Sequence, residues 1–346
     1  VVKLSVSPSF KSTPAMLDYP ARLSLANLPT PLTRISRFPG LPDDVEVWIK
    51  RDELTGLEVS GNKIRKLEFC LADAQEQGCD TIITCGGVQS NHCRATAVLG
   101  ARLGFKVHLL LRGEPAEHAQ GNLLLDQLAG AEITYVPASR WSEHPELAKT
   151  LQEKYQQSGN SAYFIPVGAS DAVGLWGYIA ACQELQQDFE REGLQPDTIV
   201  CATGSGGTQG GLLVGARMMN LSAQVLAFNV SDDAAYFEHK IREDVTLWKQ
   251  RYKTDYDLAD LDIATLEGYL GPGYGAAGPE VFATIRELAR SDGIFLDPVY
   301  TGKAFHGMVT ELNKGESGRL AGAAQIVFIH TGGLFGVFPQ NQQFNF

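Results

Sequence analysis

Short apolar runs alternate with amphipathic stretches along most of this chain, and this alternation constrains the fold more than any other feature. The runs that predict strands are 45–50, 81–85, 106–111, 132–136, 162–166, 198–201, 224–230 and 325–330. Helical spacing predicts a helix that starts at Asn62, and others at 91–103, 118–128, 144–157, 172–189, 209–219 and 279–290. This alternation is typical of parallel sheets with helices on both faces, so the predicted class is α/β.

Size and charge narrow the range of partners. The chain has 346 residues, of which 44% are hydrophobic, and this is enough to bury the cores of two domains. Its net charge of −11 repels nucleic acid and anionic membranes. No apolar run approaches the roughly 20 residues that a bilayer-spanning helix needs. A small molecule is therefore the expected partner, and neither nucleic acid nor a membrane is expected.

The N-terminal 20 residues contain no hydrophobic signal segment, which predicts a cytoplasmic protein rather than a secreted one. They carry Lys3, Lys11 and several Ser and Thr, with no acidic residue before Asp18. Because this bias weakly resembles the end of a transit peptide, import into an organelle is the alternative. The six cysteines include no CxxC pair and the seven histidines no HExxH motif, so we expect no metal site.

A glycine-rich loop, Ala202-Thr-Gly-Ser-Gly-Gly-Thr-Gln-Gly-Gly211, joins a predicted strand to a predicted helix. Glycines let the backbone approach a ligand closely, and the free N–H groups at the helix start favour an anion. A dinucleotide motif that starts at Gly204 needs a glycine where Gln209 stands, and a P-loop that starts at Gly206 finds Leu212 in place of lysine. The loop predicts a phosphate site of another kind, with a glycine turn that binds no ligand as the alternative.

A second segment with unusual charge is Val59-Ser-Gly-Asn-Lys-Ile-Arg-Lys-Leu-Glu68, which carries three cations close together. Lys63 begins a predicted helix, and Arg65 and Lys66 follow in its first turn. Cations at a helix N-terminus oppose the helix dipole, and an anionic ligand would relieve this. Crowding also lowers the pKa of a lysine, as a nucleophilic amine requires. Taken alone, the pattern also fits lysines on a solvated helix.

Ser90, Asn91 and His92 follow the sequence Cys85-Gly-Gly at the end of another predicted strand. Ser90 is placed to cap a helix whose first amides point outward, which would suit a carboxylate. An ordinary helix cap is the alternative. Two loop tyrosines, Tyr274 between glycines and Tyr300, are further candidates, although loop tyrosines often serve only packing.

These motifs occur in an order that resembles the D-cysteine desulfhydrase and 1-aminocyclopropane-1-carboxylate (ACC) deaminase family. The matching segments are Ser60-Gly-Asn-Lys63, Gln89-Ser-Asn91, the glycine-rich loop, Asp297-Pro-Val-Tyr-Thr-Gly302 and His330-Thr-Gly-Gly333, within a match from Leu23 to Gly333. The family is a branch of the tryptophan-synthase-β-like, fold-type II enzymes of pyridoxal 5′-phosphate (PLP). The resemblance implies two open, twisted, mostly parallel sheets flanked by helices. It further implies a large cofactor domain (1–66 and 176–346), a small domain (67–175) and a homodimer.

The resemblance also assigns roles to the matched residues. Lys63 corresponds to the lysine that holds PLP as a Schiff base and moves the substrate proton. The implied cofactor contacts are Lys63, Lys66, Asn91, Gly204, Ser205, Gly206, Gly207, Thr208, Thr301 and Thr331. The implied substrate contacts are Ser90, Asn91, His92, Tyr274 and Tyr300, of which Ser90 and the tyrosines are also expected to transfer protons.

Two threonines separate the activities within the family. The ACC deaminases carry glutamate where this chain has Thr301, and usually leucine where it has Thr331. Two hydroxyls imply a neutral pyridine ring and favour a D-cysteine desulfhydrase, which forms pyruvate, hydrogen sulfide and ammonia by β-elimination. The alternatives are an ACC deaminase, an L-cysteate sulfo-lyase, a D-serine enzyme and a PLP-binding protein without catalysis.

Overall fold

The computed structural model describes residues 18–346, and the segment with the transit-like composition lies outside them except for its last residues. Within the described residues, ten strands form two sheets. The strands are β1 (Leu32–Arg34), β2 (Glu46–Lys50), β3 (Thr81–Gly87), β4 (Lys106–Arg112), β5 (Glu132–Val136), β6 (Ala162–Ile165), β7 (Thr198–Thr203), β8 (Gln224–Asn229), β9 (Ala264–Leu266) and β10 (Gln325–Ile329). All eight predicted strands are present, whereas the short strands β1 and β9 were not predicted.

The larger sheet has the strand order β1-β2-β10-β7-β8-β9, and the smaller sheet has the order β5-β4-β3-β6. Every pairing is parallel except that of β1 with β2. This confirms the predicted α/β class with two mostly parallel sheets. The predicted domain boundary at 66/67 falls inside a helix, and both boundaries stay a prediction.

Nine α-helices connect the strands within residues 18–346. They are α1 (Lys63–Glu76), α2 (Asn91–Leu103), α3 (Gly121–Leu128), α4 (His144–Gln157), α5 (Trp176–Glu192), α6 (Gly207–Met218), α7 (Ala234–Tyr252), α8 (Pro279–Asp292) and α9 (Thr301–Asn313). Among the described residues, no helix is long and apolar enough to cross a membrane.

Strand β10 shows why the apolar runs form a sheet that is covered on both faces. Successive side chains of a strand point to opposite faces. Ile326 and Phe328 are buried in the cluster that contains α8 and α9 residues, while Val327 and Ile329 are buried in the cluster formed with α5 and α6. A continuous apolar run therefore meets two cores, as a central parallel strand requires.

Helix α9 was not predicted, because the signal that starts it lies upstream of the helix. The buried carboxylate of Asp297 accepts hydrogen bonds from the backbone N–H groups of Val299 (2.9 Å), Tyr300 (3.0 Å) and Thr301 (2.8 Å). It also accepts one from the Thr301 hydroxyl at 2.7 Å. The bond from the N–H of Thr301 satisfies the first N–H group that the start of α9 leaves free, and the other two fix the turn that leads into the helix. Tyr300 is thus held immediately before α9.

We expect Asp297→Ala to lower the free energy of unfolding by at least about 2 kcal/mol, because several buried N–H groups lose their acceptor. Urea unfolding of the purified protein measures this loss. The matched control is Asp260→Ala, since the carboxylate of Asp260 is 73% exposed and pairs only with Arg217 among the described residues. Equal effects of the two substitutions would contradict the capping role of Asp297.

Candidate active site

A cavity of about 690 Å³ lies at the carboxyl ends of strands from both sheets. The loops that follow β3, β6, β7, β8 and β10 line it, together with the first residue of α1. Open α/β sheets bind ligands at this end of their strands. The cavity is therefore where the fold places a ligand.

The cavity gathers most of the residues that the sequence singled out. Those that line it are Lys63, Ser90, Asn91, His92, Gly204, Ser205, Gly206, Thr208, Tyr274, Tyr300 and Thr331. Three others, Lys66, Gly207 and Thr301, are buried outside the lining. The fold thus brings eleven positions from distant segments of the chain together around one space.

Lys63 is the first residue of α1, and its amine enters the cavity. The Nζ atom donates to Asn62 Oδ1 at 3.0 Å and lies 5.8 Å from the centre of the Tyr300 ring. Burial lowers the pKa of Lys63 to about 8, against the opposing charge of Asp297 and with a small contribution from Arg94. A substantial fraction of this amine is neutral near pH 8, as covalent chemistry requires.

Lys66 lies behind the cavity wall and lacks a carboxylate partner among residues 18–346. Its Nζ donates to the Gly168 carbonyl at 3.0 Å and lies 3.4 Å from Ser170 Oγ. Burial and the charge of Lys63 hold the pKa of Lys66 well below its usual range. Arg65, by contrast, forms ion pairs with Asp52 and Glu184, so it needs no ligand. Of the three crowded cations, the two lysines are those that an anion would stabilise.

The start of α6 fits a phosphate group. Gly206, the residue before this helix, has φ +83° and no side chain that could cap it, and Ser170 Oγ accepts only the N–H of Gly207. A Cβ atom on Gly207 would lie 2.5 Å from Ser170 Oγ and 2.7 Å from Lys66 Nζ, so only glycine permits this approach. Free helix amides beside an uncompensated ammonium attract a dianion.

Lys66, the first N–H groups of α6 and Ser170 together form what we call the phosphate cradle. Of these, Ser170 was not identified from the sequence. Its Oγ accepts from the N–H of Gly207 at 3.1 Å and lies 2.8 Å from Ser205 Oγ. The position of the 168–171 loop after β6 was the available signal, but the loop contains no recognisable motif. Trp141 and His144, whose rings stack in the outer part of the cavity with centroids 4.5 Å apart, gave no signal at all.

The start of α2 offers donors to a carboxylate through its backbone. Ser90 Oγ accepts from the N–H of Cys93 at 3.2 Å, which confirms the predicted cap. Its hydroxyl proton remains available to the cavity. The N–H groups of Asn91 and His92 belong to the first turn, where a helix has no internal acceptors.

The imidazole of His92, unlike its N–H, is not free to clamp an anion. Thr84 donates its only hydroxyl proton to the Ile165 carbonyl at 2.7 Å, so at 2.8 Å it accepts from Nε2 of His92. Burial, with the charges of Lys63 and Lys66, holds the pKa of His92 well below its usual range. The neutral ring therefore presents the Nδ1 lone pair, which has no hydrogen-bond partner within residues 18–346. A carboxylate would bind the backbone N–H instead.

Asn91 is held by an interaction with α3. Its Oδ1 accepts from Asn122 Nδ2 at 3.1 Å. Because Asn122 Nδ2 also donates to the Gln89 carbonyl at 3.0 Å, the network fixes the orientation of both amides. The Nδ2 group of Asn91 is left to donate into the cavity.

Two tyrosines of the cavity lining form a pair. The hydroxyl oxygens of Tyr274 and Tyr300 lie 2.6 Å apart. Burial raises the pKa of both groups above the ordinary tyrosine value, and that of Tyr300 further than that of Tyr274. Both phenols are protonated at neutral pH, so this pair can donate or relay a proton.

The two threonines that the sequence analysis treated alike differ in position. Thr331 lines the cavity. Thr301 is fully buried, and its hydroxyl is occupied by Asp297, to which it donates at 2.7 Å and from whose N–H it accepts at 2.9 Å. The structure places the Thr301 side chain away from the cavity, where it stabilises the start of α9, and the cofactor contact of Thr331 stays a prediction.

Comparison with known proteins agrees with this geometry. A family profile described as "Pyridoxal-phosphate dependent enzyme" matches residues 23–332. The chain is 40% identical over 329 residues to the mitochondrial bifunctional D-cysteine desulfhydrase/ACC deaminase of Arabidopsis thaliana, which covers 92% of this chain and 80% of that protein. It is 37% identical over 325 residues to a D-cysteine desulfhydrase of Klebsiella pneumoniae, which covers 92% of this chain and 95% of the relative.

A solved structure is also similar. The crystal structure of an ACC deaminase homologue superimposes with a TM-score of 0.81 at 35% identity, and the match covers 93% of this chain and 95% of the other. These findings confirm the resemblance that the motif order predicted. The chain belongs to the pyridoxal-phosphate-dependent enzyme family, and its cofactor is PLP.

Proposed function

We propose that this protein is a lyase that converts D-cysteine and water to pyruvate, hydrogen sulfide and ammonia. The observation that carries the proposal is the meeting of Lys63, the tyrosine pair and the phosphate cradle in one cavity. The names of the relatives support the substrate. When bound, PLP supplies the electron sink for cleavage at the substrate Cα.

Different residues of the cavity would bind the cofactor, bind the substrate and transfer protons. The cradle of Lys66, Ser170 and the first amides of α6 would hold the phosphate, and Asn91 Nδ2 would donate to the ring oxygen. The N–H groups at the start of α2 would bind the substrate carboxylate. Lys63, with its pKa near 8, would hold the cofactor covalently until the substrate amine takes its place, and the freed Lys63 amine would then accept the Cα proton. The C–S bond then breaks with departure of hydrogen sulfide, and the phenols would supply a proton to the leaving sulfur.

Thr301 and Thr331 support elimination over ring opening, because the resemblance places the glutamate of the ACC deaminases at position 301 and their usual leucine at position 331. A carboxylate beside the pyridine nitrogen would keep that nitrogen protonated and strengthen the electron sink. A threonine hydroxyl at the last strand end does not do so, and this suits a good leaving group such as sulfide. ACC deamination is the second candidate, because the Arabidopsis relative carries both activities in its name.

A substrate panel tests the proposal. The purified holoenzyme is incubated with D-cysteine, L-cysteine, L-cysteate, D-serine and ACC, and sulfide, pyruvate and 2-oxobutyrate are measured. We expect the highest kcat/KM with D-cysteine. An equal or higher value with ACC would replace the proposal with the deaminase. Turnover of L-cysteate alone would replace it with the sulfo-lyase, and no turnover at all with a non-catalytic binding protein.

The lowered pKa of Lys63 predicts how apo-protein takes up PLP. Only the neutral amine attacks the aldehyde, so the rate of covalent binding should rise about tenfold per pH unit below pH ~8 and level off above it. Stopped-flow absorbance after mixing apo-protein with PLP measures this rate. N-acetyl-lysine amide is the control, since its rate should keep rising towards the ordinary lysine pKa. A protein profile that follows the control would contradict the prediction.

We also propose a homodimer in the cytoplasm, with organellar import as the alternative. The resemblance to fold-type II enzymes supports the dimer. Light scattering should give twice the chain mass of 37.5 kDa, and a monomer at micromolar concentration would contradict the proposal.

A further inference from the structure

The loop that carries Tyr274 has few contacts of its own. Gly271, Gly273 and Gly275 have φ values of +68°, +143° and +83°, which glycine adopts without strain. At Gly273 and Gly275, no heavy atom lies within 4 Å of the place that a Cβ atom would take. At these two positions the backbone is not packed, so the loop is held by the Tyr274 ring, which meets Tyr300 edge-on with centroids 6.0 Å apart, and by polar interactions of its backbone.

Lys303 supplies two of these interactions from α9. Its Nζ donates to the carbonyls of Leu270 and Gly273, each at 2.8 Å. The side chain is fully buried, and no ion pair within residues 18–346 includes it. A buried ammonium is costly unless hydrogen bonds satisfy it, and here loop carbonyls do so. Burial lowers the pKa of Lys303 to about 8, against the opposing charge of Asp297.

Among residues 18–346, one further side chain donates a hydrogen bond to the loop backbone. Gln340 Nε2 donates to the Gly275 carbonyl at 3.1 Å. This bond holds the far end of the loop, after Tyr274. Lys303 holds the residues immediately before Tyr274, so the two ties act on opposite sides of the tyrosine.

Lys303 lies in the first turn of α9, and Tyr300 is the N-cap residue immediately before this helix. Residues three apart on a helix are neighbours. Asp297 fixes the backbone of Tyr300 at the start of this helix, and Lys303 fixes the loop of Tyr274. The start of α9 thus sets both phenols, whose oxygens lie 2.6 Å apart.

We propose that Lys303 is a positioning residue that holds Tyr274 against Tyr300 by binding the carbonyls of residues 270 and 273. Lys303 does not line the cavity, so it acts through Tyr274 and not on the substrate. The inference rests on the proposed function of the tyrosine pair in proton transfer.

A double-mutant cycle tests this dependence. Lys303→Met removes the donors and Tyr274→Phe removes the hydroxyl. We expect each to lower kcat with D-cysteine roughly 10- to 100-fold, because a small displacement of an acid–base group suffices for such a loss. The double variant should be no slower than Tyr274→Phe alone, since both changes remove one function. Losses that multiply would overturn the proposal.

A measurement without turnover keeps the two proposals distinct. Hydrogen exchange of the peptide 270–276 should be faster in Lys303→Met and unchanged in Lys314→Met. Lys314 is the matched control because it lies at the end of α9 and contacts Tyr269 and Glu311 side chains instead of loop carbonyls. Unchanged exchange in Lys303→Met would overturn the positioning role. Full activity of Tyr274→Phe would overturn the proton-transfer role instead.

If Lys303→Met does not fold, Lys303→Gln takes its place in both measurements. The glutamine amide is too short to reach both carbonyls.

Discussion

Lys63→Ala is expected to lower kcat/KM with D-cysteine by roughly 10³-fold or more, because it removes both the covalent attachment of PLP and the base for the Cα proton. Lys63 is the cavity lysine whose pKa burial lowers to about 8. Lys66 cannot replace it, because its amine is committed to the Gly168 carbonyl and the phosphate cradle. Steady-state release of sulfide and pyruvate measures the loss.

The same variant should still bind PLP without a covalent bond. Ser170, Ser205 and the start of α6 are untouched by the substitution, so the phosphate cradle persists. We expect the absorbance of the lysine-linked cofactor to disappear while equilibrium dialysis still detects PLP. Lys106→Ala is the control, since Lys106 is the first residue of β4 and the cavity lies at the other, carboxyl ends of the strands. Retained activity and absorbance in Lys63→Ala would contradict the assignment.

Arg65→Met is expected to have the largest effect on stability, a loss of about 3–5 kcal/mol, because it leaves buried carboxylates without their cation. The Arg65 guanidinium binds both oxygens of Asp52, at 2.7 and 2.9 Å, and donates to Glu184 at 3.0 Å. Asp52 is fully buried, so water cannot replace the lost donors. Lys50 compensates Glu184 only in part.

This loss should depend on pH. Burial opposes the ionisation of Glu184, but Arg65 and Lys50 outweigh it and lower the pKa of this carboxyl to about 2. Its contribution to stability is present above its ordinary pKa of about 4.5 and is lost as the pH falls towards 2. Urea unfolding at several pH values should therefore show the difference between wild type and Arg65→Met shrinking in acid. Arg140→Met, which breaks an exposed pair with Glu143, should show no such difference; the same loss in both variants would contradict the account.

The sequence predicted those parts of the fold that depend on local pattern. The apolar runs marked β3, β4 and β7 because a strand covered on both faces is apolar at every position. The cap at Ser90 was visible because its acceptor and its helix are adjacent. Helix α9 was not predicted because the carboxylate that accepts its first N–H belongs to Asp297, four residues before the helix begins.

The site was less predictable where a side chain's partner comes from another element. Thr301 and Thr331 look equivalent along the chain, and only the fold shows that Asp297 occupies one of them. Ser170 and Lys303 are ordinary residues in the sequence, and their roles follow from contacts with segments more than 25 residues away. Arg65 appeared to need an anionic ligand, but Asp52 and Glu184 already supply its charge balance.

The most direct test of the central claim is to identify the lysine that carries the cofactor. Borohydride reduces the carbon–nitrogen double bond between PLP and its lysine, and the product survives proteolysis and mass spectrometry. We predict that the holoenzyme loses its activity on reduction and carries the pyridoxyl group on Lys63 alone. A pyridoxyl group on Lys66, on Lys240 or on any lysine other than Lys63 would contradict it.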